Sequence, residues 1–98
     1  MKLELLSIDQ FSDKIGQTFT VEEEGLPPIE MKLAEVTPLK NYANATREPF
    51  SLVFTTSGIG LLQQRTYHLH HASLGQKPFF LVPVGKKDDI ISYQSIFN

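Results

Sequence analysis

The stretch "RTYHLHH", residues 65–71, decides how the rest of the chain is read. Taken with the period of two of a β-strand, Tyr67, Leu69 and His71 line one face, and His68 and His70 line the other. The stretch also holds all three histidines of the chain. Read outward from it, the same period recurs. Phe50, Leu52 and Phe54 alternate with Ser51, Val53 and Thr55. Phe19 and Val21 alternate with Thr18, Thr20 and Glu22. Ile29, Met31 and Leu33 keep one phase, and then Ala34 and Val36 shift to the other. Such a one-residue slip predicts a bulge or a strand buried on both sides. "FFLVPVG" at 79–85 is apolar on both faces, and "ISYQSIFN" at 91–98 reads as a last strand.

Turn signals separate these runs: "EEGLPPIE" at 23–30, "TTSGIG" at 55–60, "ASLGQKP" at 72–78 and the charged "KKDD" at 86–89. "PLKNYANATREP" at 38–49 is the longest polar connection. The pattern predicts a mainly β fold, an antiparallel barrel or sandwich of about six strands. Pro83 cannot donate a ladder hydrogen bond, so its strand is expected at an edge or at a bulge. An edge there would be open to strand addition.

One helix signal precedes the strands. In "LSIDQFSDKIG", residues 6–16, Ser7 can cap and Gln10 completes a capping box. Leu6 and Phe11 fall at the positions of a hydrophobic staple, and Ile8, Phe11 and Ile15 share a face. Gly16 can close the helix in the left-handed region. A helix of about two turns is not stable alone, so it is expected to dock on the strands.

The bulk numbers narrow the function classes. The chain has 98 residues, which is expected to form one domain over 1–98. Hydrophobic residues make up 41% and charged residues 20%, which suits a packed core. A net charge of -2 offers no basic stripe to neutralise phosphates, so no nucleic-acid partner is expected. No apolar run approaches the roughly 20 residues of a membrane helix, and no signal peptide is read at the start, so a cytoplasmic protein without a membrane partner is expected. There is no cysteine, which removes disulfides, thiolate nucleophiles and cysteine metal sites. Asn44-Ala45-Thr46 matches a glycosylation sequon, read as chance without a secretion signal.

In their order and spacing, "PFSLVF" (49–54), "TYHLHHASLG" (66–75), "FFLVPVG" (79–85) and "YQSIFN" (93–98) are similar to a family of small uncharacterised bacterial proteins. Gly16-Gln17-Thr18-Phe19 matches the "GQxF" that opens its strands. The chain departs at Arg65, where the family pattern has glycine. The resemblance brings no activity with it. It implies at most a structural or accessory role beside a phage-tail-like or other bacterial assembly.

Candidate chemistry is sparse. His68 and His70, about 7 Å apart on one strand face, have a metal-ligand spacing. They make half a site, which Asp88, Asp89 or Glu22 to Glu24 would have to complete. The alternative reading leaves them facing solvent. His71, before the turn, matches the family pattern and is read as a buried residue tying the turn's backbone. Glu22, Glu23 and Glu24 read as a solvated hairpin end. No Gly-x-Ser-x-Gly elbow is present, and "SGIG" lacks the lysine and helix of a phosphate loop. The aromatics Phe50, Phe54, Phe79, Phe80, Tyr93 and Phe97 are expected to fill the core. Gly75, Pro83, Tyr93 and His71 are the structural positions.

The outer face of the 79–84 strand needs a cover. The N-terminal helix is expected to supply part of it and a protein partner or second subunit the rest, through Phe80, Val82 and Val84. The expected function is therefore a non-enzymatic structural or interaction module with no cofactor. The alternative is a small-molecule or metal-binding barrel using His68 and His70.

Overall fold

A computed structural model describes residues 6–40, 49–57 and 61–97. The sequon and most of the polar connection lie outside the described residues, as do Asn98 and the core of "SGIG". Six antiparallel strands close into a barrel: β1 (Thr18–Val21), β2 (Ile29–Pro38), β3 (Phe50–Ser57), β4 (Arg65–His71), β5 (Gly75–Lys87) and β6 (Ile90–Phe97). The order around the ring is β1-β2-β3-β6-β5-β4. Each half is a three-strand meander, and β4 returns beside β1 in Greek-key fashion. The two halves exchange places under this order, and β2 and β5, the middle strands of each, both carry a register shift. No helix among the described residues is long and apolar enough to cross a membrane.

Both bulges sit where the pattern breaks. β2 shifts register between Leu33 and Glu35, which is the predicted phase slip. Ala34 is left exposed and Val36 turns back to pack against the core. β5 shifts between Pro83 and Gly85, so the missing N–H of Pro83 falls in an irregular stretch of ladder. The edge alternative is not realised, because β5 lies between β4 and β6 in a ring with no terminal strand. The opening for strand addition expected there is absent with it. β5 pairs with β4 up to Leu81 and with β6 from Val82 onward.

The N-terminal element is shorter than its sequence signal. Only a 3-10 turn forms, Ile8–Gln10, and the residues after it are turns. Gln10 Oε1 accepts the Ser7 backbone N–H at 2.7 Å, and Gly16 is left-handed at φ 88. The chain is pulled away from helical continuation because Gly16 N–H donates to the Leu33 carbonyl, and Gln17 accepts from Leu33 N–H. Ile15 is therefore 54% exposed and does not share a buried face with Phe11. Nor does this element cover the outer face of β5. It drives Phe11, wholly buried, into one end of the barrel. There the Phe11 ring meets those of Phe19, Phe50, Phe79 and Phe97 at 5.8 to 6.3 Å. Phe19, Phe54 and Phe79 interlock edge-on behind it.

Candidate functional site

β4 is the strand that closes the ring, and its pairing with β1 is short. Among the described residues, only Thr20–His70 and Val21–Leu69 are in register, extended by Glu22 N–H donating to the His68 carbonyl at 2.8 Å. In contrast, β3 and β6 pair along their whole length. Because β1 ends at Val21, the His68 N–H has no partner on β1. Glu23 supplies one with its side chain. Its Oε1 accepts from the His68 N–H at 2.7 Å and lies 3.0 Å from the His68 Nδ1. Its other oxygen lies 3.9 Å from the Arg65 guanidinium, which in turn covers the Tyr67 ring at 4.8 Å. The donated His68 N–H, more than any other contact, holds the Glu23 carboxyl below the usual carboxylate range. Glu22 reaches past His70 to accept from Gln76 Nε2 at 3.1 Å. The acids of the first hairpin thus bind the seam, which the hairpin-end reading did not anticipate. Arg65 joins them.

His71 holds the other end of the seam. It is 6% exposed. Its Nδ1 faces the Ser73 N–H at 3.0 Å, the Leu74 N–H at 3.4 Å and the Ser73 hydroxyl at 3.1 Å. With two backbone donors aimed at it, Nδ1 must be the acceptor and Nε2 carries the hydrogen. That Nε2–H donates to Gln17 Oε1 at 2.6 Å, across the seam just before β1. Burial, reinforced by the charge of Lys14, lowers the imidazole's proton affinity. The turn that His71 ties ends at Gly75, whose φ of 74 demands the left-handed region. A Cβ there would meet no atom within 4 Å, so only the backbone angle asks for glycine. Gly75→Ala is expected to cost about 1–2 kcal/mol, read as a shift in the urea midpoint with the denaturant slope unchanged.

His68 and His70 both lie on the exposed face of β4. No group of three or more His, Asp or Glu side chains placed to hold a metal occurs among the described residues. Asp88 and Asp89 form the tight β5–β6 turn, where Asp88 takes a positive φ of 56.

The positions read for interaction sit on the outside of β5. Phe80 is 47% exposed and Val84 53%, while Val82 is half-buried. Phe80 therefore leaves the core set to which its spacing assigned it. Phe79 and Leu81 point inward and are buried. Ile96 of β6, 50% exposed, lies on the same outer face. The register places Val53 beside Gln94 and Gln94 beside Val82, so the face runs across β3, β6 and β5. Sequence reasoning passed over Ile96, although its phase opposite to Tyr93 was readable.

Tyr93 is wholly buried, and its hydroxyl accepts the Leu62 N–H at 2.9 Å. The Tyr67 hydroxyl donates to the Gln63 carbonyl at 2.7 Å. The two phenols anchor the chain entering β4. Two open grooves lie among the described residues. One, of about 700 Å³, crosses the outer face of β1 to β3 and is lined by Thr18, Thr20, Glu30, Lys32, Thr55 and Ser57. The other, of about 320 Å³, lies between Leu26, Leu61, Leu62 and Arg65. Of the buried side-chain polar atoms among the described residues, Ser95 Oγ lacks a partner, and Ser95 lies inside the barrel on β6, away from both grooves.

Comparison with curated proteins and with solved structures finds no match. A family model does match: it covers residues 6–97, the whole barrel with its N-terminal turn, and is described as a domain of unknown function, DUF6916, so the chain belongs to that family.

Proposed function

We propose that the protein is a non-enzymatic module that works by protein–protein contact, through the outer face of β5 and β6. The observation that carries this reading is the group Phe80, Val84 and Ile96, each about half exposed, around half-buried Val82. Single exposed apolar residues are ordinary. A group of them on adjacent strands of one face is the mark of a contact surface. An exposed aromatic such as Phe80 within it suits an interface anchor. A second copy of the chain or another protein of a bacterial assembly, phage-tail-like or otherwise, is the occupant in this reading. Nucleic acid, membrane and cofactor have no part in it, and the protein acts in the cytoplasm.

Native mass spectrometry of protein purified without chelator tests it directly. A metal-free oligomer that Phe80→Lys and Ile96→Lys convert to a monomer with an unchanged circular-dichroism spectrum supports assembly through this face. An oligomer indifferent to both substitutions sinks it. A monomer carrying one divalent ion would favour the His68 and His70 reading instead. His68→Ala with His70→Ala would then abolish the bound metal.

A further inference from the structure

We propose that the β1–β4 seam is an acid-operated latch that opens first at its His71 end. Backbone pairing at this seam is sparse, so side chains hold its two ends. The Gln17–His71 bond closes one end and the Glu23–His68 contacts close the other. The two ends respond differently to protons.

At the His71 end the imidazole must be neutral. A proton on Nδ1 would set an N–H against the N–H groups of Ser73 and Leu74, which are fixed by the turn and cannot reverse. The Ser73 hydroxyl can rotate to accept, and a cation gains from the Phe19 ring at 4.6 Å. Neither restores the two backbone donors. The charged groups around the ring are Lys14 and Asp13 from the turn before β1 and His70 from β4 itself. Lys14 and His70 oppose a second positive charge. Asp13 favours it but is already engaged with Lys14 at 2.9 Å. Folded His71 thus binds protons less readily than the unfolded chain does. Its support for the seam is full above the ordinary histidine pKa of about 6.5 and fades as the pH falls below it.

The Glu23 end responds to protons only at lower pH. Glu23 itself, held below the ordinary carboxylate range, gives way only once the pH falls below about 4.5. Between these limits one end is released while the other is retained. The strand edges at the Gln17 end of β1 and the His71 end of β4 are then unpaired.

Amide hydrogen exchange by NMR, corrected for the intrinsic rate, reads each end separately. Between pH 7.5 and 5.5, protection at Ser73, Leu74, Thr20 and His70 should fall severalfold, with a ceiling of roughly tenfold set by one pK unit below the ordinary histidine value. Glu22 and His68 should hold until about pH 4.5. Leu52 and Phe54 on β3 should not change. His71→Gln, which cannot titrate, should abolish the fall. Equal losses in all strands, no loss at all, or a fall that survives His71→Gln would overturn the proposal. Should that variant not fold, the imidazole nitrogen shifts of the unaltered protein decide. The Nε2–H tautomer with a midpoint below 6.5 supports the latch. The Nδ1–H tautomer, or a midpoint at or above that value, overturns it.

Discussion

Phe11→Ala is expected to destabilise the protein by about 3–5 kcal/mol, the range for removing a fully buried aromatic ring. In a domain whose whole stability is of order 5–15 kcal/mol, that is a large share. The melting temperature should fall by about 15–30 °C for a chain of this size. The reason lies in where the ring sits. Phe11 comes from a 3-10 turn too short to be stable alone, yet it closes one end of the barrel against Phe19, Phe50, Phe79 and Phe97. Strands on all sides keep those rings from collapsing into the gap, so the cavity term is retained. Ile15→Ala, a few residues on and exposed, should change the melting temperature little. Equal small effects from both would show that the turn is not docked.

The second large effect is expected at Tyr93. Tyr93→Ala removes a wholly buried ring and should also cost about 3–5 kcal/mol. Tyr93→Phe separates the hydroxyl from the ring. It keeps the volume and leaves the Leu62 N–H without its acceptor, at a cost of about 1–2 kcal/mol. The milder variant should also speed hydrogen exchange at the Leu62 amide more than at Leu52. Thermal and chemical unfolding give the first quantity and amide exchange the second. Should Tyr93→Phe match the parent in both, the phenol does not anchor the strand entry.

Much of the barrel was legible because its strands are amphipathic and short. Alternation at Phe50, Leu52 and Phe54 names the inner face directly, since successive side chains leave opposite sides of a strand. The slip at Ala34 was legible as a bulge because one extra residue inverts the phase of everything after it. Pro83 pointed to its bulge through a missing donor. The helix signal predicts about two turns, and the chain forms only the first. Caps and a staple report how a helix starts, and here backbone bonds from Gly16 and Gln17 to Leu33 claimed the chain after one turn. Local propensity is weak against tertiary pairing of that kind.

The candidate sites were less legible. The phase of "HLHH" put His68 and His70 outside and His71 inside, but partners distant in sequence decide what a histidine does. Glu23 reaches His68 across 45 residues, and Gln17 reaches His71 across 54. No spacing rule connects such pairs. Phe80 was read both as core and as contact, because a strand apolar on both faces does not say which face is covered.

By itself the sequence determined the class of fold, the strands, the inward face of nearly every one and the two places where a bulge was one of two readings. All of these are local, set by side-chain alternation and by the backbone limits of glycine and proline. The tertiary structure alone decided that the sheet closes, that β4 meets β1, and that Phe11 plugs the end. Those depend on pairings between distant segments, where many registers satisfy the same alternation and only the packing of one shared interior selects among them.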